Sequence, residues 1–470
     1  MTAGARLAHV RRAAVPQGEI CAGIGAPGDR HARRGLARRA RAGYRGTGCR
    51  RSAEIPVPRP SVPAPERLRD HPAFFLFWMT RVASALAFQM LGVAVGWLIY
   101  ALTGSAVALG LVGLAQFFPI LCLTLFVGHA ADTFDRRRIV FLCQTLAALT
   151  LALLALGIGQ GWAGIAAIYA AVMVVGAARA FEHPTMAALL PRLVPAPILP
   201  RALAVSTSAM QMATIAGPAL GGLAYVFGPT VPLAAAALCY GAAALCMASI
   251  RHAHVPAPKS AMSMTTLLSG LAFIRRSPVV LGSISLDLFA VLLGGVTALL
   301  PIFASDILHV GAEGMGALRA APAVGATLMS LVLARVPLSR NVGATMFAAV
   351  AVFGLATVVF SLSQNFMLSL AALFVLGVAD NVSVVIRSSL VQLSTPDEMR
   401  GRVSAVNSLF VGTSNQLGEF ESGMVAALVG AVGAGVIGGI GTLVVAAVWM
   451  RLFPELRRVD EMPLGAMRKA

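Results

Sequence analysis

The side chains able to do chemistry in this chain are acids and bases stranded inside long apolar runs: Arg81, Asp287, Arg319, Asp380, Arg387, Glu419 and Glu421. A charge held away from water is costly, so each needs a partner or a task. Counted along helices at 1.5 Å per residue, Arg81 and Asp287 each lie roughly 12 Å inside the same end of their runs, which makes them an expected pair. Arg319 with Glu419 or Glu421 makes a second, and Asp380 and Arg387 share a helix face two turns apart. A buried carboxylate can accept a proton from one side of a barrier and release it to the other. Asp287 is therefore the first candidate proton carrier, followed by Glu419, Asp380 and Glu421, with Arg81 and Arg319 as partners. Structural ion pairing is the alternative for every one of them. Arg179 and Glu182, placed near the end of a run, read as a structural pair. Gln89, Trp97 and Gln116 are candidates for lining a substrate path, with packing or lipid contact as the competing reading.

Nothing else in the sequence assembles a reactive site. There is no histidine cluster, no metal-ligand spacing and no nucleophile constellation, so an enzyme is not expected, nor a metal or cofactor. The absence of a glycine-rich phosphate loop argues against direct use of ATP. Cys21 and Cys49 lie near the amino terminus, whereas Cys122, Cys143, Cys239 and Cys246 stand in apolar runs with no CxxC spacing and read as small hydrophobes.

The elements that must hold these groups are long apolar helices. Hydrophobic residues make up 58% of the 470 and charged residues only 12%, gathered so that stretches of about 20 apolar residues, enough to cross a bilayer core about 30 Å thick, recur from Phe74 onward. Twelve spans are predicted, at 73–101, 106–130, 139–157, 163–183, 203–227, 230–250, 279–304, 313–334, 342–361, 366–387, 403–428 and 432–451. The breaks alternate. Arg136, Arg137 and Arg138, then Arg192 and Arg201, then Arg335 and Arg340 fill every second one, and the others hold no Lys or Arg. By the positive-inside rule the basic breaks and both termini are expected in the cytoplasm of a bacterium, with the chain in its inner membrane.

The net charge of +18 does not imply nucleic acid, because its distribution explains it. Residues 1–70 carry fifteen arginines against five acidic residues, with neither an apolar segment nor a helical stripe, and are expected to be a disordered cytoplasmic tail. An organellar transit peptide or an anionic-lipid-binding tail is the functional alternative. Two lysines against 35 arginines fit a GC-rich gene, in which residues 1–56 would look like an overextended start.

The longest internal break, Arg251 to Pro278, divides the spans six and six. At an offset of 201, Gly176, Pro195, Arg201, Gly217 and Gly222 fall on Gly377, Pro396, Arg402, Gly418 and Gly423, and at 203, Gly113 and Pro119 fall on Gly316 and Pro322. Two related halves are the simplest account: bundles at 71–250 and 279–452, a linker at 251–278 and a tail at 453–470.

Three motifs carry a family resemblance. After the second span the chain reads Gly128, then Asp132, Asp135 and Arg136 to Arg138, which resembles the signature between helices 2 and 3 of the major facilitator superfamily. Thr395-Pro396-Asp397-Glu398 reads as a helix start, with Thr395 as cap, Pro396 in the first helical position and Glu398 closing a capping box, ahead of Arg400 and Arg402. The resemblance implies a cytoplasmic gate in which Asp132 meets this helix end and Arg402 when the protein opens outward. Gly217-Pro218 with Gly221 and Gly222, behind Ala213 where the pattern usually has Gly, resembles the antiporter motif of exporters; as bare glycines and proline they read as packing. Leu102 to Ala106, Ala178 to Pro184 and Arg400 to Ser404 are similar to the branch of enterobactin exporters, the transmembrane secretion effectors. Together these imply an all-α integral membrane protein, twelve helices in two pseudo-symmetric six-helix bundles, that exports an amphipathic small molecule against inward proton flow as a monomeric unit. Import of a nutrient with protons, and a non-transporting membrane receptor or scaffold, are the alternatives.

Overall fold

The computed structural model describes residues 68–250, 264–336 and 340–460, and the backbone alone of residue 69 and of 124–133 and 264–267. The expectations placed on residues 1–67 lie outside the described residues.

Everything regular among the described residues is helical. Six long helices come first: α1 (Pro72–Thr103), α2 (Ala106–Thr133), α3 (Arg136–Gly159), α4 (Ile165–Leu189), α5 (Leu199–Tyr225) and α6 (Thr230–Ser249). A shorter α7 (Met264–Arg276) precedes α8 (Pro278–Leu293) and the three-residue α9 (Leu300–Ile302), after which come α10 (Gly311–Arg335), α11 (Val342–Leu362), α12 (Phe366–Leu393), α13 (Asp397–Leu452) and the short α14 (Pro454–Arg457). Ten described helical stretches are long and apolar enough to cross a bilayer. Helix α5 has the length but is not among them, because serines, threonines and glycines dilute its apolar content.

The predicted seventh span, 279–304, is not one helix. It runs from Pro278 to Ile307 but breaks after α8 at Gly294-Gly295, passes a 3-10 turn at Val296–Leu299 and ends in a π turn at Phe303–Ile307. The last two predicted spans, 403–428 and 432–451, are two helices that meet at a kink without a loop and are numbered together as α13. Its 56 residues would extend about 84 Å at helical rise, far beyond one bilayer crossing. Gly430 breaks it with φ 79° and ψ 164°, a backbone region that is essentially glycine's alone.

The outward faces are apolar where a soluble protein's would be polar. On α3, Leu142, Leu146, Leu149, Leu153 and Leu156 form an exposed stripe at helical spacing, while Gln144, Ala147, Leu151 and Leu154 on the opposite side are buried. That inversion suits hydrocarbon as the solvent. Prolines inside α2, α4, α5 and α10 (Pro119, Pro184, Pro218, Pro322) each remove a backbone hydrogen bond and bend the helices around the interior.

Packing follows the internal repeat. Gly176 of α4 lies against Gln116 of α2, and its counterpart Gly377 of α12 lies against Pro322 of α10. Gly217 of α5 meets Gln89 of α1, as Gly418 of α13 meets Val291 and Leu292 of α8. Gly222 of α5 meets Ala312 and Gly316 of α10, as Gly423 of α13 meets Ala106 and Gly110 of α2. The aligned glycines thus serve corresponding approaches of backbone to backbone, which only small residues permit.

Candidate functional site

The helix ends near the arginine-rich breaks are tied by those arginines. Asp135 caps α3, its carboxylate accepting from the Arg137 N–H at 2.9 Å, so the helix begins at Arg136, three residues before the predicted span. From that first turn Arg136 donates to the Ala188 carbonyl at 3.0 Å and Arg137 to the Ile250 carbonyl, at the ends of α4 and α6. Guanidinium groups placed on the last carbonyls of two helices favour the negative ends of their dipoles. Arg138 reaches back to Asp135 at 4.0 Å and is otherwise exposed. Gly128 and Asp132 stand in the last turns of α2, where the backbone alone is described.

The other half of the expected gate is built differently from its sequence reading. α13 begins at Asp397, with Pro396 as its N-cap residue, and no side chain caps it. The Thr395 hydroxyl donates backward to the Val391 carbonyl of α12, so the capping box does not form. Asp397 pairs instead with Arg400 at 2.7 Å. Arg402 donates to Ser269 of α7 at 3.3 Å and approaches the Met399 sulfur, so it is held beside α7.

Among the described residues, close approaches between α1–α6 and α8–α13 lie between mid-helix and the bare-loop end. Tyr100, in the last turn of α1, donates its hydroxyl to Asp306 in the π turn. A Cβ added at Gly110 would stand 3.2 Å from the Gly423 Cα, and one at Gly316 2.6 Å from the Pro218 carbonyl. The approach nearest the basic end is Gln211 of α5 donating to the Ala323 carbonyl of α10 at 3.5 Å. Beyond it Leu203 and Val205 of α5 are exposed, and Gly401 and Gly412 of α13 face open space. Among the described residues, the first six helices and the last meet toward the bare end, and these close approaches do not extend to the basic end. In this seam Gly217 and Gly221 fit α5 against α1, while Pro218 and Gly222 fit it against α10, so the antiporter-like motif packs both ways.

The charges inside the helices pair otherwise than depth predicted. Asp287 of α8 forms its ion pair with Arg387 of α12, both buried, and not with Arg81. Depth along a helix says nothing of the direction a side chain leaves it, and Asp287 turns into its own half. Asp380, two turns from Arg387 on α12, joins them: with Asp287, Ser383, Val350 and Phe353 it lines a small pocket of ≈ 10 Å³, about the room of one water molecule. Arg387 keeps its Nε without a partner. Of the two acids proposed for Arg319, Glu419 is the one within its electrostatic reach. Arg319 lies over Gly92 of α1 and Glu419 over Gly113 of α2, so both occupy the seam. Glu421 lies beside Ser422.

A second polar group holds Glu182 and Arg179, which sequence reading paired with each other, and also Gln144 and Tyr240, which it missed. Glu182 is buried in α4 and accepts from the Gln144 amide of α3 at 2.9 Å, which replaces the pairing expected with Arg179. Arg179 instead covers the Phe88 ring of α1, 3.8 Å from its centroid, with the fully buried Tyr240 of α6 beside both charges. The one available signal was the polar Gln144 amid the apolar positions of α3. Trp97 packs edge-on to Tyr225, ring centroids 6.3 Å apart, and Gln89 and Gln116 sit under Gly217 and Gly176, all three half-buried and in contact with neighbouring helices.

The transmembrane secretion effector family matches residues 64–469, nearly all of the helical portion. The chain belongs to that family of major facilitator transporters. This transporter is a multi-pass membrane protein, and its relatives are transporters rather than enzymes. It is 26% identical over 407 residues to the enterobactin exporter EntS of Citrobacter koseri, a match covering 84% of this chain and 95% of that one. The EntS of Escherichia coli O139:H28 matches at the same identity and coverage. Among solved structures the fold is similar to a bacterial homologue of the lysosomal transporter Spinster, inward-facing and unoccupied, with a TM-score of 0.65, 13% identity and coverage of 84% of this chain and 98% of that one. The nucleoside transporter NupG follows at a TM-score of 0.60, 16% identity and coverage of 80% and 99%.

Proposed function

We propose that this transporter exports an amphipathic small molecule across the bacterial inner membrane by alternating access, driven by inward proton flow. In this reading twelve crossings form two related six-helix bundles, 71–250 and 279–452, joined by a cytoplasmic linker at 251–278 and flanked by cytoplasmic tails. The observation that carries it is the seam: small residues join the halves at the bare end, and among the described residues their close approaches do not extend to the basic end. The positive-inside rule puts the basic end in the cytoplasm, and this arrangement supports a state that loads cargo from inside. Alternating access then requires the basic ends to close, bringing Asp132 and the start of α13 together as the bare end opens. The name of the EntS relatives supports outward transport and a siderophore-like cargo, and the antiporter-like motif in α5 supports exchange against protons. Asp287, Asp380 and Arg387 supply a buried charge group able to trade a proton for an ion-pair partner, and Glu419 with Arg319 places a second on the seam.

The test is flux in proteoliposomes of the purified full chain, in unit form as a monomer, under an imposed pH gradient. Siderophore-like and drug-like amphiphiles should move uphill against the proton flow and stop when a protonophore is added. Movement in the same direction as protons would make the protein an importer. Binding without flux of any compound would make it a receptor.

A further inference from the structure

The buried polar group in the first half is not balanced. Arg81 and Arg179 are two permanent cations, and the one carboxylate among them, Glu182, is engaged by Gln144. Arg81 is half-buried on α1, and among the described residues no acceptor meets its guanidinium. His183, one turn beyond Arg179 on α4, is exposed and lies within electrostatic reach of both arginines. A surplus cation at membrane depth is costly, and such groups turn toward partners or water-filled paths.

Position shows which way they turn. Arg81, Phe88 and Gly92 fall within about 20° of one line along α1, since seven and eleven residues are close to whole numbers of turns. Gly92 meets Arg319 of the other half, and Phe88 carries Arg179 on its face. Arg81 therefore lies on the seam face, roughly 16 Å from the Gly92 contact toward the basic end. The repeat adds an independent observation. Helices α1 and α8 both begin on proline, Pro72 and Pro278, and this register sets Arg81 opposite Asp287. The offset of 201 sets Arg179 opposite Asp380. Corresponding sites are thus cationic in the first half and anionic in the second.

We propose that Arg81 and Arg179, with His183 beside them, form an anion-binding subsite on the first half's wall of the seam. It takes the carboxylate, sulfonate or phosphate end of an amphipathic substrate, while Phe88 offers an aromatic face to the apolar part. The inference rests on the transport reading and narrows its substrate class.

The test uses purified full-length protein in detergent and two probes that share one arene, dansylglycine as the anion and dansylglycinamide as its neutral match, with binding read from dansyl fluorescence. The anion is expected to bind at least about tenfold more tightly than the amide. Arg81→Gln should remove that preference and leave the amide's affinity unchanged, and Arg81→Lys should keep most of it. Arg179→Gln is a second variant with the same expectation. Because no acceptor meets Arg81 among the described residues, its Gln variant keeps the test decisive if Arg179→Gln fails to fold. Equal binding of the two probes, or a preference that survives in a well-folded Arg81→Gln protein, overturns the subsite. Counterflow of dansylglycine in proteoliposomes separates the two readings. A charge preference without counterflow of any compound leaves the subsite and removes transport; counterflow without preference removes the subsite alone.

Discussion

At the scale of single residues, the Asp287–Arg387 pair sets the sharpest question, because a buried pair can be structural, coupling or both. Asp287→Asn leaves the Arg387 guanidinium buried and uncompensated, a loss of about 3–5 kcal/mol. The first prediction is that Asp287→Asn lowers the unfolding temperature, that adding Arg387→Gln recovers most of it, and that the double variant still exchanges substrate downhill but no longer drives it uphill under a pH gradient. Thermal unfolding in detergent and proteoliposome flux measure the two effects separately. Uphill transport by the double variant would move coupling to Glu419. The residue types of this group were legible in the sequence, since a carboxylate in an apolar run stands out. Their partners were not. Helical rise gives depth, but the direction in which Asp287 leaves α8 depends on how α8 rolls against α12, and that is settled by packing over the whole half. Gln144 was harder still, because one amide in a leucine-rich helix acquires meaning only when Glu182 is found against it.

At the scale of elements, the helices were legible from their apolar runs and their ends from Gly, Pro and Arg, while the interruptions within them were not. The sequence reading set Thr395 as a cap on the strength of a Thr-x-x-Glu spacing, but the hydroxyl found a nearer acceptor one turn back on α12. Gly430 falls in the short gap between two predicted spans, and there the structure kinks from one helix into the next without a loop. The second prediction belongs here. Gly430→Ala forces a side chain into a region of backbone space that costs about 1–3 kcal/mol, so it should lower the unfolding temperature, whereas Gly412→Ala, in helical backbone with open space around it, should change it little. The third concerns the seam: Gly423→Leu places a branched side chain where a Cβ already lies 2.7 Å from the Gly110 Cα, and overpacking of about 1–3 kcal/mol should hold the bare ends apart. Substrate flux should fall roughly tenfold or more with expression kept, and a Leu variant that transports normally would show that α2 and α13 do not need this approach.

At the scale of the whole molecule, the state in which the halves rest depends on few contacts at the bare end, and Tyr100 with Asp306 is one of them. The fourth prediction is that Tyr100→Phe shifts the population toward a parted bare end. Spin labels on cysteines placed at Leu203 of α5 and Ser404 of α13, in a chain with its native cysteines replaced, should then report a shorter distance across the basic end; an unchanged distribution would make the Tyr100 bond incidental. The amino-terminal residues make a fifth: the family match begins at residue 64, so a chain begun at Val57 should insert and transport like the full one. The seam itself has a mechanical consequence. Where Gly110 meets Gly423 and Gly222 meets Gly316, the surfaces carry no side chains that must leave one set of rotamers and enter another when the halves tilt. At these points the joint behaves as a bearing rather than a ratchet: it can roll through small angles with little internal friction, which leaves resistance to the tilt with Arg319, Glu419 and Tyr100 beside them and with the viscosity and thickness of the surrounding lipid.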